Sequence, residues 1–380
     1  SMKFSKLFSL ALMAASALSM SAQGIEFMPH EARLQEAIDK AKKEGKMVFL
    51  DCYTSWCGPC KMMANKIFPT QEVGDFMNPK FVSIKIDMEK GEGPEIAERL
   101  QINAYPTFVI FNNDGTEAAR FVGGGDAQNF IKRVNDNISN NGPAAMEARF
   151  KAGDRDRQFM LDYLEYLGKV YRTQQANVVA EAILEGQTET FAADTTLRKV
   201  FVKHIINPYA PSFVYAAKNR ESMATLIGEK AYNDKIGSVL NRYSRSIVRK
   251  NGNSFTLDQK KLDDFIAHIK ECNIPRPEHY RLNTLMSYAE RNGDWNTYMD
   301  VMESYLADSS LDMPDMTLSF KSASLIEKCQ DQQVRARIKK VLQTRVDDIK
   351  SGRRTAQTLP AGRQKQTPLE MLENNLKSLN

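Results

Sequence analysis

The chain has 380 residues, 52 Lys and Arg against 47 Asp and Glu, a formal net charge of +5 and 42% hydrophobic residues. That length fits two or three domains, and that composition excludes a wholly disordered chain, a collagen and a multi-pass membrane protein. Five cysteines are too few for a disulfide scaffold. No segment has the dense basic face of a nucleic-acid binder, since residues 25–140 carry 14 basic and 17 acidic side chains and residues 141–350 carry 31 and 28.

Residues 1–23 read as a secretory signal peptide. Lys3 and Lys6 precede an apolar run of 12 residues at 7–18, followed by Ser19, Ser21 and Ala22. Twelve apolar residues fall short of the roughly 20 that span a bilayer core. No cysteine precedes Cys52 to take a lipid. The expectation is a mature protein that starts near Gln23, does not span the membrane, and is exported to an oxidising, periplasm-like compartment.

Residues 30–45 place Leu34, Ala37, Ile38 and Ala41 on one helical face, with Gly45 as the stop. Residues 46–53 (KMVFLDCY) are a buried strand, and 58–77 a helix that Pro69 kinks or breaks. A strand at 81–87 and a short helix at 93–100 follow. Strands at 107–112 and 118–122 flank the Asn113-Asp114-Gly115 turn as a hairpin, and a helix at 126–138 is capped by Asp126. The order α-β-α-β-α-β-β-α implies an α/β domain over 25–140 with a mixed central sheet and helices on both faces.

Asn140-Asn141-Gly142-Pro143 marks a domain boundary. Residues 144–350 show helical patterns only, among them Phe159, Tyr163, Tyr166 and Leu167, then Leu262, Phe265, Ile266 and Ile269, then Leu282, Leu285 and Ala289. About ten short helices packed in pairs are expected, an all-α domain. The similar pieces Ala152-Gly153-Asp154 and Asn292-Gly293-Asp294 hint at a helical repeat. Residues 351–380 read as a disordered basic tail with a short terminal helix at 369–379.

The chemistry concentrates at Trp56-Cys57-Gly58-Pro59-Cys60-Lys61. Cys57 and Cys60 lie one helical turn apart, directly after a strand and at a helix start, where unpaired N–H groups favour a thiolate. Cys57 is placed to attack a substrate disulfide and Cys60 to release the product by closing the ring. Pro59 suits the first helical turn. The competing readings are a zinc half-site and a structural disulfide. Zinc needs two more ligands, but Cys272 and Cys329 lie 57 residues apart and the four His lack zinc-type spacing. A structural disulfide has no use for the Trp before or the Gly-Pro within. No metal and no separate cofactor is expected; the Cys57–Cys60 pair is itself the redox group.

Residues 56–61, with the element order around them, resemble the active-site signature and fold of the thioredoxin superfamily over about residues 30–139. The resemblance implies a thioredoxin-like fold. It implies that Asp51, six residues before Cys57, is the buried acid behind the resolving cysteine, with a raised pKa that lets it take the Cys60 proton. It implies a cis-proline at Pro106 facing the dithiol, a substrate-pairing backbone at Tyr105, and a substrate-groove glycine at Gly123. With Trp56, Gly58 and Pro59 these form the implied substrate-binding set. Ser83 stands where many family members have Lys, while Lys85 lies two residues on, on the same face. The stretches around Pro69 and Lys90 are more similar to the thioredoxin-like end domain of membrane thiol–disulfide interchange reductases.

The resulting expectation is an exported thiol–disulfide oxidoreductase that reduces or isomerises disulfides of exported proteins. A Gly-Pro pair between the cysteines matches reducing members of the family, at about −270 mV for thioredoxin against about −120 mV for the strong periplasmic oxidant. A reductant in an oxidising space needs a membrane-bound electron donor as partner. The alternatives are a disulfide oxidase, and a partner-binding protein in which the helical domain dominates and the redox site is regulatory.

Overall fold

The computed structural model describes residues 23–139, 142–360, 362 and 365–380. The signal peptide expected over 1–23 lies outside the described residues except for Gln23, as do Asn140 and Asn141 of the expected junction. The chain forms two compact units that divide between Ile183 and Leu184, well beyond the boundary expected at 140–143.

In the first unit the order is α1 (Leu34–Glu44), β1 (Met47–Tyr53), α2 (Gly58–Met62), α3 (Gln71–Met77), β2 (Phe81–Asp87), α4 (Gly93–Arg99), β3 (Thr107–Phe111), β4 (Glu117–Val122) and α5 (Ala127–Asn137). The run MVFLDCY is apolar at nearly every position, as a strand covered on both faces must be, and its five central residues are buried. β1 therefore sits inside the sheet, parallel to β2 and antiparallel to β3, in the order β2-β1-β3-β4.

Side chains of β1 alternate between two cores. Val48, Leu50 and Cys52 join Leu34, Ala37 and Ala41 of α1 with Ile84 and Val109. Phe49 enters an aromatic core with Met63, Phe68, Phe108, Phe121 and Phe130. There it stacks on Phe108 with ring centroids 5.5 Å apart and meets Phe130 edge-on at 5.7 Å. Pro69 breaks the helix after the site, as expected. α2 gives way to a π-helical turn over Met63–Ile67, closed by the Phe68 N–H donating to the Met63 carbonyl at 2.9 Å, and α3 restarts at Gln71. Asp126 accepts the Asn129 N–H at 2.8 Å and caps α5.

Three more helices complete this unit, α6 (Pro143–Lys151), α7 (Arg157–Lys169) and α8 (Thr173–Leu184), the last ending at the division. β4 is a sheet edge, and an edge leaves backbone groups unpaired. The Tyr166 hydroxyl of α7 supplies partners, 3.3 Å from both the N–H and the carbonyl of Arg120. The Arg120 side chain is 1% exposed and donates twice to Glu117, at 2.6 and 2.7 Å.

The second unit is mostly helical but not wholly so. A hairpin of β5 (Val248–Asn251) and β6 (Ser254–Leu257) corrects the expectation of helices alone. Its physical reason is the Gly252-Asn253 turn, where Gly252 takes φ 61°. Leu262, Phe265, Ile266 and Ile269 are buried as expected, and in the helix Pro277–Arg291 Ala289 is buried and Leu282 packs half-buried against the core, joined by buried Thr284 and Met286, while Leu285 is half-buried. The tail is also corrected. Composition pointed to disorder over 351–368 before the short terminal helix, but Arg354 donates to Asp312 at 2.8 Å and to buried Asp315 at 2.9 Å, and the Gln357 N–H donates to Asp315 at 2.9 Å. A helix at Pro368–Lys377 follows, capped by Thr367 and Glu370. Asp315 needs these cationic and N–H donors because an uncompensated buried carboxylate is costly. Among the described residues no helix is long and apolar enough to cross a membrane.

Glu117→Ala leaves the buried Arg120 guanidinium without its counter-charge, at an expected cost of about 3 kcal/mol. Urea unfolding of the oxidised protein measures this, and adding Arg120→Met to Glu117→Ala recovers most of the loss. Equal stability of Glu117→Ala and the parent contradicts the pairing.

Candidate active site

β1 ends at Tyr53, and a turn in which the Cys57 N–H donates to the Thr54 carbonyl at 3.3 Å swings the chain into α2. Pro59 lies in the first turn of α2, where its missing N–H leaves no bond unmade. Cys57 is the N-cap, with extended backbone, and its Sγ accepts the Cys60 N–H at 3.2 Å. The two cysteines form a disulfide with Cα atoms 5.3 Å apart. Each is 4% exposed in this form, so position rather than exposure separates them. When the bond is reduced, the Cys57 sulfur remains at the positive end of the helix dipole beside a donor, which favours its thiolate.

Asp51 is 3% exposed, and among the described residues its Oδ1 has no hydrogen-bond partner. Alternation puts it on the Phe49 face, with Lys85 of β2 on one side in register and Phe108 of β3 on the other. Burial pushes its pKa up to about 7, against the opposing pull of the Lys85 charge. Lys85 thus takes part in tuning Asp51 although it stands two residues from the family's usual position. Burial also pushes the neighbouring Cys52 thiol well up, so that residue stays a buried thiol. Cys272 and Cys329 are likewise buried and unpaired with each other.

Several of the residues implied for substrate binding contact one another. Trp56 is 64% exposed, meets the Tyr105 ring edge-on at 6.0 Å, and donates its indole N–H to Glu89 at 2.9 Å. The Tyr105–Pro106 bond is cis. The Pro106 carbonyl accepts the Gly123 N–H at 2.9 Å, and Gly123 takes φ 94°, a region that favours glycine. Arg133 of α5 donates to the Gly123 carbonyl at 2.8 Å and to the Val122 carbonyl. Sequence reasoning missed Glu89 and Arg133. Glu89 acts through a partner 33 residues away and Arg133 through backbone carbonyls 10 and 11 residues away, and neither residue type carries a spacing signal. Among the described residues no three His, Cys, Asp or Glu side chains are grouped as a metal site requires.

Residues 34–138 match the family model described as Thioredoxin-like domain. The chain is 33% identical over 92 residues to a thioredoxin of Echinococcus granulosus, which covers 24% of this chain and 79% of that protein. This chain belongs to the thioredoxin family. The thioredoxin match to Thioredoxin Y1, chloroplastic, of Arabidopsis thaliana is 39% over 93 residues, 24% of this chain and 51% of the relative. The match to thiol:disulfide interchange protein DsbD of Pseudomonas fluorescens is 30% over 105 residues, 27% of this chain and 18% of the relative. The chain thus spans about half the length of the chloroplast thioredoxins it matches. Helices α6–α8 and the second unit lie outside the residues matched by the thioredoxin-like model.

An acid whose pKa is raised by folding is protonated in the native protein while the unfolded chain has released its proton. Asp51 therefore makes stability fall as pH rises from about 4 to about 7, by up to roughly 4 kcal/mol in all, and level off above. Asp51→Asn does not titrate, so its unfolding free energy relative to the parent should rise by that amount between pH 4 and pH 8. Urea titrations of the oxidised proteins measure it, and a pH-independent difference means that Asp51 ionises normally.

Proposed function

We propose that the protein is an exported thiol–disulfide oxidoreductase that reduces or isomerises the disulfides of exported proteins. The observation that carries this reading is the Cys60 N–H held against the Cys57 sulfur at the start of α2. In the reduced enzyme the Cys57 thiolate attacks one sulfur of a client disulfide, forming a mixed disulfide and expelling one client thiolate, which takes up a proton. Asp51, ionised, accepts the Cys60 proton. The Cys60 thiolate then attacks the Cys57 sulfur, and the second client thiolate leaves. Two electrons pass to the client, and Cys57–Cys60 is left oxidised. A pKa near 7 suits Asp51 to both halves of this proton traffic near neutral pH. The Trp56–Tyr105 pair and the Pro106–Gly123 hydrogen bond form the edge offered to the client.

Export rests on the Lys3, Lys6 and apolar 7–18 pattern. Continued reduction outside the cytoplasm requires a membrane-bound source of electrons, and the likeness to a thiol:disulfide interchange protein supports that class of donor. The Gly58-Pro59 pair favours reduction over oxidation.

With dithiothreitol as the electron source the protein should reduce insulin. Cys60→Ser should accumulate insulin mixed disulfides through Cys57, visible on non-reducing gels, and Cys57→Ser should form none. Asp51→Asn should slow product release between pH 6 and pH 8 while leaving the first attack unchanged. Mixed disulfides trapped through Cys60 instead reverse the roles of the two cysteines, and insulin reduction by the Cys57→Ser, Cys60→Ser double variant removes the site from the reaction.

A further inference from the structure

Five helices end in the same turn, α4 among them, where Gln101 at φ 54° donates to Glu98 at 3.1 Å and Ile102 to Ala97 at 2.8 Å. A residue in the left-handed region donates its N–H three residues back, and the next residue donates five residues back. After α6 the bonds are Gly153 to Phe150 at 3.1 Å and Asp154 to Arg149 at 3.0 Å. After the helices Gln259–Glu271 and Pro277–Arg291 the left-handed residues are Asn273 and Gly293, with the same pairs of bonds. Glycine and asparagine are what this turn favours. After α7 the residue is Tyr171, at φ 57°, with Tyr171 donating to Gly168 at 3.3 Å and Arg172 to Leu167 at 2.9 Å. A bulky residue in this region is strained. Its backbone is held, the carbonyl accepting from Asn103 and from Thr173, but its side chain is not. Tyr171 is 51% exposed, and among the described residues its ring and hydroxyl have no aromatic, cationic or hydrogen-bond partner.

Its place is defined. The Tyr171 carbonyl accepts Asn103 Nδ2 at 3.1 Å, and the same nitrogen donates to the Gln101 carbonyl at 3.1 Å. Asn103 is two residues ahead of Tyr105, on the loop that ends in cis-Pro106. At the other end of that loop Trp56 lies against Tyr105. Trp56 and Tyr171 are the two exposed aromatic side chains among the described residues of the first unit, and both are tied to the same short loop. α7 is itself held to β4 by Tyr166, so the second aromatic is presented from a fixed support. Strain kept at an exposed position points to a function in binding.

We infer that Tyr171 determines specificity for protein clients, extending the Tyr105–Pro106 edge with an aromatic contact for the extended polypeptide that flanks the client's disulfide. This rests on the oxidoreductase reading. On this reading a polypeptide client meets Tyr171 and a small disulfide does not. Replacement by the residue the turn prefers therefore separates function from fold.

Full-length wild type, Tyr171→Gly and Tyr171→Phe are compared with dithiothreitol as reductant, using insulin and 2-hydroxyethyl disulfide as substrates, together with the thermal midpoint. Tyr171→Gly should keep or raise the midpoint, lower kcat/KM for insulin about fivefold, and leave 2-hydroxyethyl disulfide turnover unchanged. Tyr171→Phe keeps the ring and should retain wild-type turnover of insulin. Unchanged insulin kcat/KM in Tyr171→Gly overturns the proposal, and so does an equal loss on both substrates, which marks a structural role. If the wild type turns over neither substrate, the oxidoreductase reading itself falls, an outcome distinct from a failure of Tyr171 alone.

Discussion

The hydrogen bond from the Cys60 N–H to the Cys57 sulfur is the interaction on which the site depends. It requires a helix to begin at Cys57, and that requires a strand to stop a few residues earlier against a rigid support. β1 supplies the support because it is interior to the sheet and covered on both faces. α2 is only five residues long, too short to be stable alone. It is held from its far side instead. The π-helical turn brings Met63 and Phe68 into the aromatic core, where Phe68 meets Phe49, Phe108 and Phe130 at centroid distances of 6.2, 5.9 and 5.5 Å. Pro69 then ends the segment, so the helix that bears the cysteines is anchored by packing at one end and capped by sulfur at the other.

The same sheet holds a carboxyl where an apolar residue would pack best. Asp51 weakens the fold whenever it ionises, and Lys85 across the strand pair offsets part of that penalty. Local stability is given up at a position proposed to serve proton transfer, as functional sites commonly do. Cys52, one residue on, faces the opposite core, and burial keeps it protonated. One strand thus carries a tuned acid and an inert thiol on opposite faces, and alternation alone keeps them apart.

Much of this was legible in the chain. The apolar run of β1, the Cys57–Cys60 spacing, the break at Pro69 and the Asp126 cap are local signals, and each appears where expected. Asp51, Pro106 and Gly123 stood out only through the resemblance to the thioredoxin superfamily. What escaped depends on long-range partners. Glu89 meets Trp56 across 33 residues, Tyr166 meets Arg120 across 46, and Tyr171 meets Asn103 across 68. The tail misled because composition counts its charges as solvated, whereas Arg354 finds Asp312 and Asp315 some 40 residues earlier. The hairpin was overlooked because Gly252-Asn253 joins strands of four residues each, too short for alternation to stand out.

The central claim is that a cysteine at a helix start, with Gly-Pro between the pair and an apolar sheet behind it, makes a reductant. The reduction potential of Cys57–Cys60, measured by equilibration against defined dithiothreitol mixtures at pH 7, tests it most directly. The account predicts a value near −270 mV, about that of thioredoxin, and a value near −120 mV, about that of the strong periplasmic oxidant, would contradict it.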